Sequence, residues 1–352
     1  MKKFIYYILT IVLITSACTK LDNDTPDPLP PDQLGNGFYV LNQGNFTSGN
    51  ASLSFFSEDS AKMINNIFFK LNNAPLGDVA QSITLWRDEA YIVVNNSAYI
   101  YVIDSKTGLF KRKLAELQSP RFIQIIDADK AYISDFQLKG LMVFNPMNMQ
   151  PLGVIETGKT TEAMAMVDYE VFATNWSSYN QTSTNNTVQV IDAIHDKLVD
   201  SIVVAKEPNS LVVDKHKKLW VLCSGGFMNE EIPALIRIDP ASRTIEKRFN
   251  FPVLQSSPEQ LRINKSGDQL YFLNGDVYAM HIDEDQLPSD PKINASGRNF
   301  FTLAVHPEDQ TIIVTDAGNY VQNGWVFRFA SDGMLIDSAQ AGIIPGFIGF
   351  IN

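Results

Sequence analysis

The chain has 352 residues, with 28 Lys and Arg against 39 Asp and Glu, and a formal charge of -11. Such an acidic chain, with no basic cluster, repels phosphate backbones, so nucleic acid is excluded as an expected partner. Two cysteines, Cys18 and Cys223, cannot build a disulfide framework.

The first residues read as a leader. Met1-Lys2-Lys3 is basic, and Phe4 to Ala17 is apolar but too short to span a bilayer as a helix. Leu13-Ile14-Thr15-Ser16-Ala17-Cys18 resembles a bacterial lipobox. Residues 1–17 are thus expected to be a lipoprotein signal peptide, with Cys18 the lipidated N-terminus and membrane contact made through that anchor. Loss of Lys2 and Lys3 with the leader would take the charge from -11 to -13. Residues 18–35 form an acidic, proline-rich tether that neither nucleates a helix nor joins a central strand. Acidic residues soon after a lipidated cysteine resemble a surface-export signal of Gram-negative anaerobes. The expected location is the outer membrane, facing the cell exterior.

From residue 36 the chain repeats. Short β-rich runs, each followed by a turn, occur at Ser54–Ser57, Tyr101–Asp104, Met142–Asn145, Gln189–Asp192, Ile236–Asp239, Met280–Asp283 and Phe327–Ala330. They lie about 41 to 47 residues apart, the period of a four-stranded propeller blade. A second echo precedes each: Phe38–Leu41, Ala90–Val94, Ala131–Ser134, Val171–Thr174, Leu219–Leu222, Leu270–Leu273 and Ile312–Thr315. Polar turns follow the first set of runs, such as Asp104-Ser105-Lys106-Thr107-Gly108, where Asp bonds its own backbone and Gly accepts positive φ. Cys223 closes the apolar run Leu219-Trp220-Val221-Leu222 and is expected to be buried and inert.

The ends complete this pattern. The fold starts with a second strand, Gly37 to Leu41, and finishes with Gly346 to Ile351, a first strand with nothing after it. Joining them closes the array and leaves no open edge between first and last blades. Residues 36–352 are therefore expected to form one all-β domain, a seven-bladed β-propeller closed by its C-terminal strand.

These residues carry a family resemblance. The whole mature chain resembles the YncE-like, YVTN-type seven-bladed propellers, and more narrowly the DUF5074 group of surface lipoproteins. The start, Tyr39-Val40-Leu41-Asn42-Gln43-Gly44-Asn45-Phe46, looks like that group's start. Val314-Thr315-Asp316-Ala317-Gly318-Asn319-Tyr320 and Ile344-Pro345-Gly346-Phe347 look like its end. The group includes BtuG-type lipoproteins, so the resemblance implies cobalamin capture beside a TonB-dependent outer-membrane transporter.

In a propeller, loops after second strands and before first strands share one face. Here that face would gather amides, carboxylates and aromatics: Asn42, Gln43, Asn45, Phe46, Asn95, Arg121, Phe136, Gln137, Asn175, Trp176, Tyr179, Phe227, Asn274, Asp316 and Tyr320. Asp78, Glu162, Asn209, Glu259, Arg298 and Phe347 join them from the loops before first strands. The mixture suits a large, flat, mostly uncharged ligand, either a corrinoid with its carboxamide fringe or an oligosaccharide stacked on Trp176 and Tyr179. A glycan- or protein-binding scaffold is the alternative.

Catalysis finds little support. The four histidines, His195, His216, His281 and His306, fall in different repeats without ligand spacing, and no Gly-x-Ser-x-Gly elbow occurs. No metal, cofactor or enzymatic activity is expected.

Overall fold

The β-branched and aromatic runs form strands that bury most of their side chains. Phe38, Tyr39, Val40 and Leu41 are all fully buried, as are Tyr91 to Val94 and Leu219 to Cys223. In the computed structural model, which describes residues 33–176 and 185–351, these runs are the second strands of seven antiparallel sheets. The fold is a seven-bladed β-propeller. The innermost strands of blades 1 to 7 are Pro345–Phe350, Ala80–Trp86, Pro120–Ile125, Met164–Val167, Pro208–Val213, Glu259–Ile263 and Phe300–Val305. The signal peptide, Cys18, the tether up to residue 32 and Tyr179 lie outside the described residues.

The core lies between neighbouring blades. Phe172, Val188 and Val190 of blade 4 pack on Leu219, Val221 and Ile236 of blade 5. Tyr91, Val93 and Val102 of blade 2 meet Ile123, Ile133 and Phe144 of blade 3 in the same way. Each fully buried side chain of this size contributes about 1.5–3 kcal/mol, so the sheets are held face to face along the whole ring.

Closure follows the expected route. Pro345–Phe350 pairs antiparallel with Gly37–Asn42, in the register Phe38 to Phe350, Val40 to Ile348 and Leu41 to Phe347. Gly349 lets this strand approach blade 2, since a Cβ there would meet Leu85 Cδ1 at 2.7 Å and Ile83 Cγ2 at 2.8 Å.

Blade 6 departs from the four-stranded unit. Among the described residues it has three strands, Glu259–Ile263, Gln269–Asn274 and Asp276–His281. The segment where a fourth strand belongs contains Pro288 and Pro291 among acidic residues, and proline cannot donate to a ladder. A single bridge, Val277 to Ile293, stands in for it.

A further irregularity is shared. The pairing of innermost with second strand slips at the start of blades 2, 3, 5, 6 and 7: Ala80/Ser82, Pro120/Ile123, Pro208/Ser210, Glu259/Arg262 and Phe300/Leu303. Such bulges re-aim side chains. Here the residues at the slips, among them Gln81, Arg121, Asn209, Gln260 and Phe301, line the central axis. Leu34 enters at the opposite face, where its N–H donates to Lys106 O at 2.8 Å in the turn after the third strand of blade 2.

Candidate functional site

The innermost strands enclose a central cavity of about 600 Å³. It opens on the face that carries the loops after second strands, and all seven blades contribute to its lining. Gln43 and Phe347 come from blade 1, Gln81 from blade 2, Arg121, Phe122 and Phe136 from blade 3, and Glu162 and Trp176 from blade 4. Asn209, Ser210 and Phe227 come from blade 5, Glu259, Gln260 and Arg262 from blade 6, and Phe301 from blade 7.

Three rings form a row at the mouth. Phe136 and Trp176 lie 5.5 Å apart between centroids, and Trp176 and Phe227 5.6 Å. The Trp176 Nε1–H is shielded and has no acceptor among the described residues. Below the row, the Arg121 guanidinium sits 4.0 Å from the Phe136 centroid, so the shelf is apolar on one side and cationic underneath.

Arg121 is the most tightly held charge of the wall. Its Nε and Nη2 donate to the two oxygens of Glu162 at 2.7 and 2.8 Å, and Nη1 donates to Gln81 Oε1 at 2.6 Å. Burial pushes the Glu162 carboxyl above the ordinary carboxylate range, and Arg121 opposes that push. Inter-blade bonds fix the strands beneath. Ser82 Oγ donates to Arg121 O at 2.6 Å, Leu261 N–H donates to Ser210 Oγ at 3.1 Å, and Thr302 Oγ1 donates to Gly346 O at 2.9 Å.

Blade 6 supplies a looser pair. Burial raises Glu259 to about 7 despite the opposing effect of Arg262. Burial also lowers Arg262 to about 10, which keeps it charged at neutral pH. Both are partly accessible and line the cavity.

The predicted residues divide. Gln43, Arg121, Phe136, Trp176 and Phe227 come together around the cavity, as do Glu162, Asn209, Glu259 and Phe347. Five others are used by the scaffold. Asn42 is fully buried, donates to Ser54 Oγ at 2.9 Å and accepts Gly342 N–H at 3.0 Å. Asn95 Nδ2 donates to Pro120 O at 2.9 Å, and Asn175 Nδ2 donates to Thr160 O at 3.1 Å. Asn274 accepts Ser257 N–H at 2.9 Å, and Asp316 accepts the N–H groups of Asn299 and Gly318 at 3.0 and 2.8 Å. These side chains end strands by satisfying backbone groups, and none lines the cavity.

Asn45, Phe46, Gln137 and Tyr320 lie away from the cavity lining. Phe46 is 69% exposed, Asn45 Nδ2 donates to Tyr320 O, and the Tyr320 ring meets Phe301 edge-on at 6.0 Å. Gln137 is exposed, its N–H held by Asp135 Oδ1 at 2.7 Å. Asp78 bonds Asn96, and Arg298 lies over Phe327, both outside the cavity. Tyr179 lies outside the described residues. Among the described residues, no three His, Cys, Asp or Glu side chains converge to hold a metal. Cys223 is fully buried, and burial pushes its thiol up to about 12.

Gln81, Gln260, Arg262 and Phe301 were not legible as site residues. A signal for the bulge positions did exist: Gln81, Arg121, Asn209, Gln260 and Phe301 recur at repeat intervals near the starts of innermost strands.

Solved structures share the fold. A quinonprotein alcohol dehydrogenase-like protein from Bacteroides thetaiotaomicron superposes with a TM-score of 0.73 at 15% identity, covering 91% of this chain and 79% of that one. Hydrazine synthase from Kuenenia stuttgartiensis gives 0.59 at 14% identity, covering 76% and 88%. The Neurospora crassa Pan2 WD40 domain gives 0.55 at 13% identity, covering 76% and 79%. Three such different proteins at these identities share architecture alone. No curated protein matches the sequence. The family model described as a domain of unknown function, DUF5074, matches residues 36–342, and the chain belongs to that family.

Proposed function

We propose that this protein is a non-catalytic, lipid-anchored protein of the outer-membrane surface. It would capture a corrinoid at the mouth of the central cavity and pass it to a TonB-dependent transporter. The observation that carries the reading is the ring row Phe136–Trp176–Phe227, set beside a cavity bordered by Gln43, Gln81, Asn209 and Gln260. A flat macrocycle gains broad contact from such rings, worth about 0.5–1.5 kcal/mol per well-placed pair beyond area burial. Its carboxamide fringe matches side-chain amides, which both donate and accept.

The entry of Leu34 at the opposite face supports the orientation. An anchor at Cys18 would leave the mouth turned away from its own membrane. The likeness of the chain's two ends to the DUF5074 group, which includes BtuG-type lipoproteins, is what suggests this ligand and transporter.

Calorimetry with cyanocobalamin on the mature protein tests the reading. Saturable heat that weakens in Trp176→Ala supports it. No heat with cyanocobalamin, together with saturable binding of an oligosaccharide, would replace it by the glycan-binding scaffold.

A further inference from the structure

Four charged side chains line the cavity among the described residues: Arg121, Glu162, Glu259 and Arg262. The first two neutralise each other through two hydrogen bonds. Arg262 has no such partner. Nη1 donates to Leu261 O at 2.9 Å and Nη2 to Gln260 Oε1, both neutral acceptors. No carboxylate lies within salt-bridge distance of it among the described residues, and Glu259 acts on it only through space. Two of the five guanidinium N–H donors are thus used, and Arg262 lines the cavity. A charge withdrawn from bulk water without a counter-charge is costly, and an anion entering the cavity would relieve that cost.

We infer that Arg262 anchors an anion subsite in the central cavity. It takes a carboxylate or a tetrahedral oxyanion group of the bound molecule, and Glu259, which lines the same cavity, is the carboxyl that competes with it. This subsite needs no corrinoid, because small anions report on it separately from cyanocobalamin.

The surroundings leave Glu259 as the group that titrates. The strands packed against Glu259–Ile263 are Pro208–Val213, Leu219–Cys223, Gln269–Asn274 and Phe300–Val305. Their only titratable side chains are Cys223 and Tyr271, both buried in apolar layers. Across the cavity stand Arg121 and Glu162, already paired, while Gln43, Gln81, Phe301 and Phe347 carry no charge. Glu259 titrates at about 7, so near neutral pH it is part ionised and part neutral. A bound anion favours its neutral form, so binding takes up a proton and weakens as pH rises through that value.

The test uses the mature chain with sulfate as the tetrahedral probe and acetate as the carboxylate probe. Each is titrated at matched ionic strength against chloride, reading the rise in melting temperature and its half-saturation. One or both anions should stabilise the wild type beyond chloride, with affinity falling about tenfold from pH 6 to pH 8. Arg262→Gln should abolish the specific increment. Glu259→Gln should keep the increment, strengthen it at pH 8 by about tenfold and remove the pH dependence. The subsite is refuted if neither anion stabilises the wild type beyond chloride. It is equally refuted if Arg262→Gln retains the increment, or if Glu259→Gln keeps the wild-type pH slope. The Glu259 variant decides the matter if Arg262→Gln does not fold.

Discussion

Arg121 and Glu162 stand 41 residues apart, on adjacent blades, and meet in a two-pronged ion pair on the cavity wall. The separation is one repeat, so the two occupy matching places at the starts of neighbouring innermost strands. Removing either partner strands a buried charge, which costs about 3–5 kcal/mol, whereas replacing both with Met should cost much less. Urea unfolding of Arg121→Met, Glu162→Met and the double variant measures this. Additive losses would show that the pair contributes no coupling.

Glu259 should make stability depend on pH. Its folded pKa of about 7 lies above the unfolded value of about 4.3, so the folded state binds the proton more tightly. The contribution is full below about pH 4.3 and is lost as pH rises through about 7. Glu259→Gln should flatten that window and raise stability at pH 8 by about 1–3 kcal/mol, the figure being reduced because the group meets cavity water. Chemical denaturation at pH 5 and pH 8 reads the difference; an unchanged slope means Glu259 is solvated like a surface carboxylate.

Trp176 sits between Phe136 and Phe227 and is only half-buried, so its ring is placed for contact with a ligand more than for packing. Trp176→Ala should weaken cyanocobalamin binding by about tenfold or more, equivalent to about 1.4 kcal/mol. The melting temperature should change little. A large loss of stability with unchanged affinity would assign the ring to the scaffold.

Gly349 is where the closing strand passes closest to blade 2. Gly349→Val should force Leu85 and Ile83 aside and cost about 1–3 kcal/mol, with a lowered denaturation midpoint. Wild-type stability in this variant would mean the first two blades can separate without loss.

The edge of blade 6 should show in hydrogen exchange. Val277 uses its outward N–H and C=O on Ile293, and by alternation the outward groups of Ala279 have no fourth strand to meet among the described residues. The Ala279 amide should exchange far faster than third-strand amides that face a fourth strand in the other six blades. Equal protection would reveal a cover over this edge.

Strand identity was readable because it is local. Phe38 to Leu41 and its six echoes are short runs rich in β-branched and aromatic residues, as strands are, and Gly346 to Ile351 had no partner but the first blade. The site was readable only in part. Phe136, Trp176 and Phe227 could be assigned to the right face because loops after second strands must share it. Asn42, Asn95 and Asn175 belong to the same face by position, yet their amides are taken up in ending strands.

What the sequence determined by itself is the frame: seven repeats, their phase, the closing strand and the face on which loops converge. These follow from side-chain period and turn chemistry, which act within a few residues. What only the tertiary structure decided is which side chains reach the axis. A bulge at the start of an innermost strand turns Gln81, Arg121, Asn209 or Gln260 inward, and its place depends on register with the next strand. Likewise, the neutralised Arg121 and the unneutralised Arg262 differ only in what the neighbouring blade brings beside them. Pairing across blades is non-local, so two arginines that look alike in the chain acquire different chemistry in the folded protein.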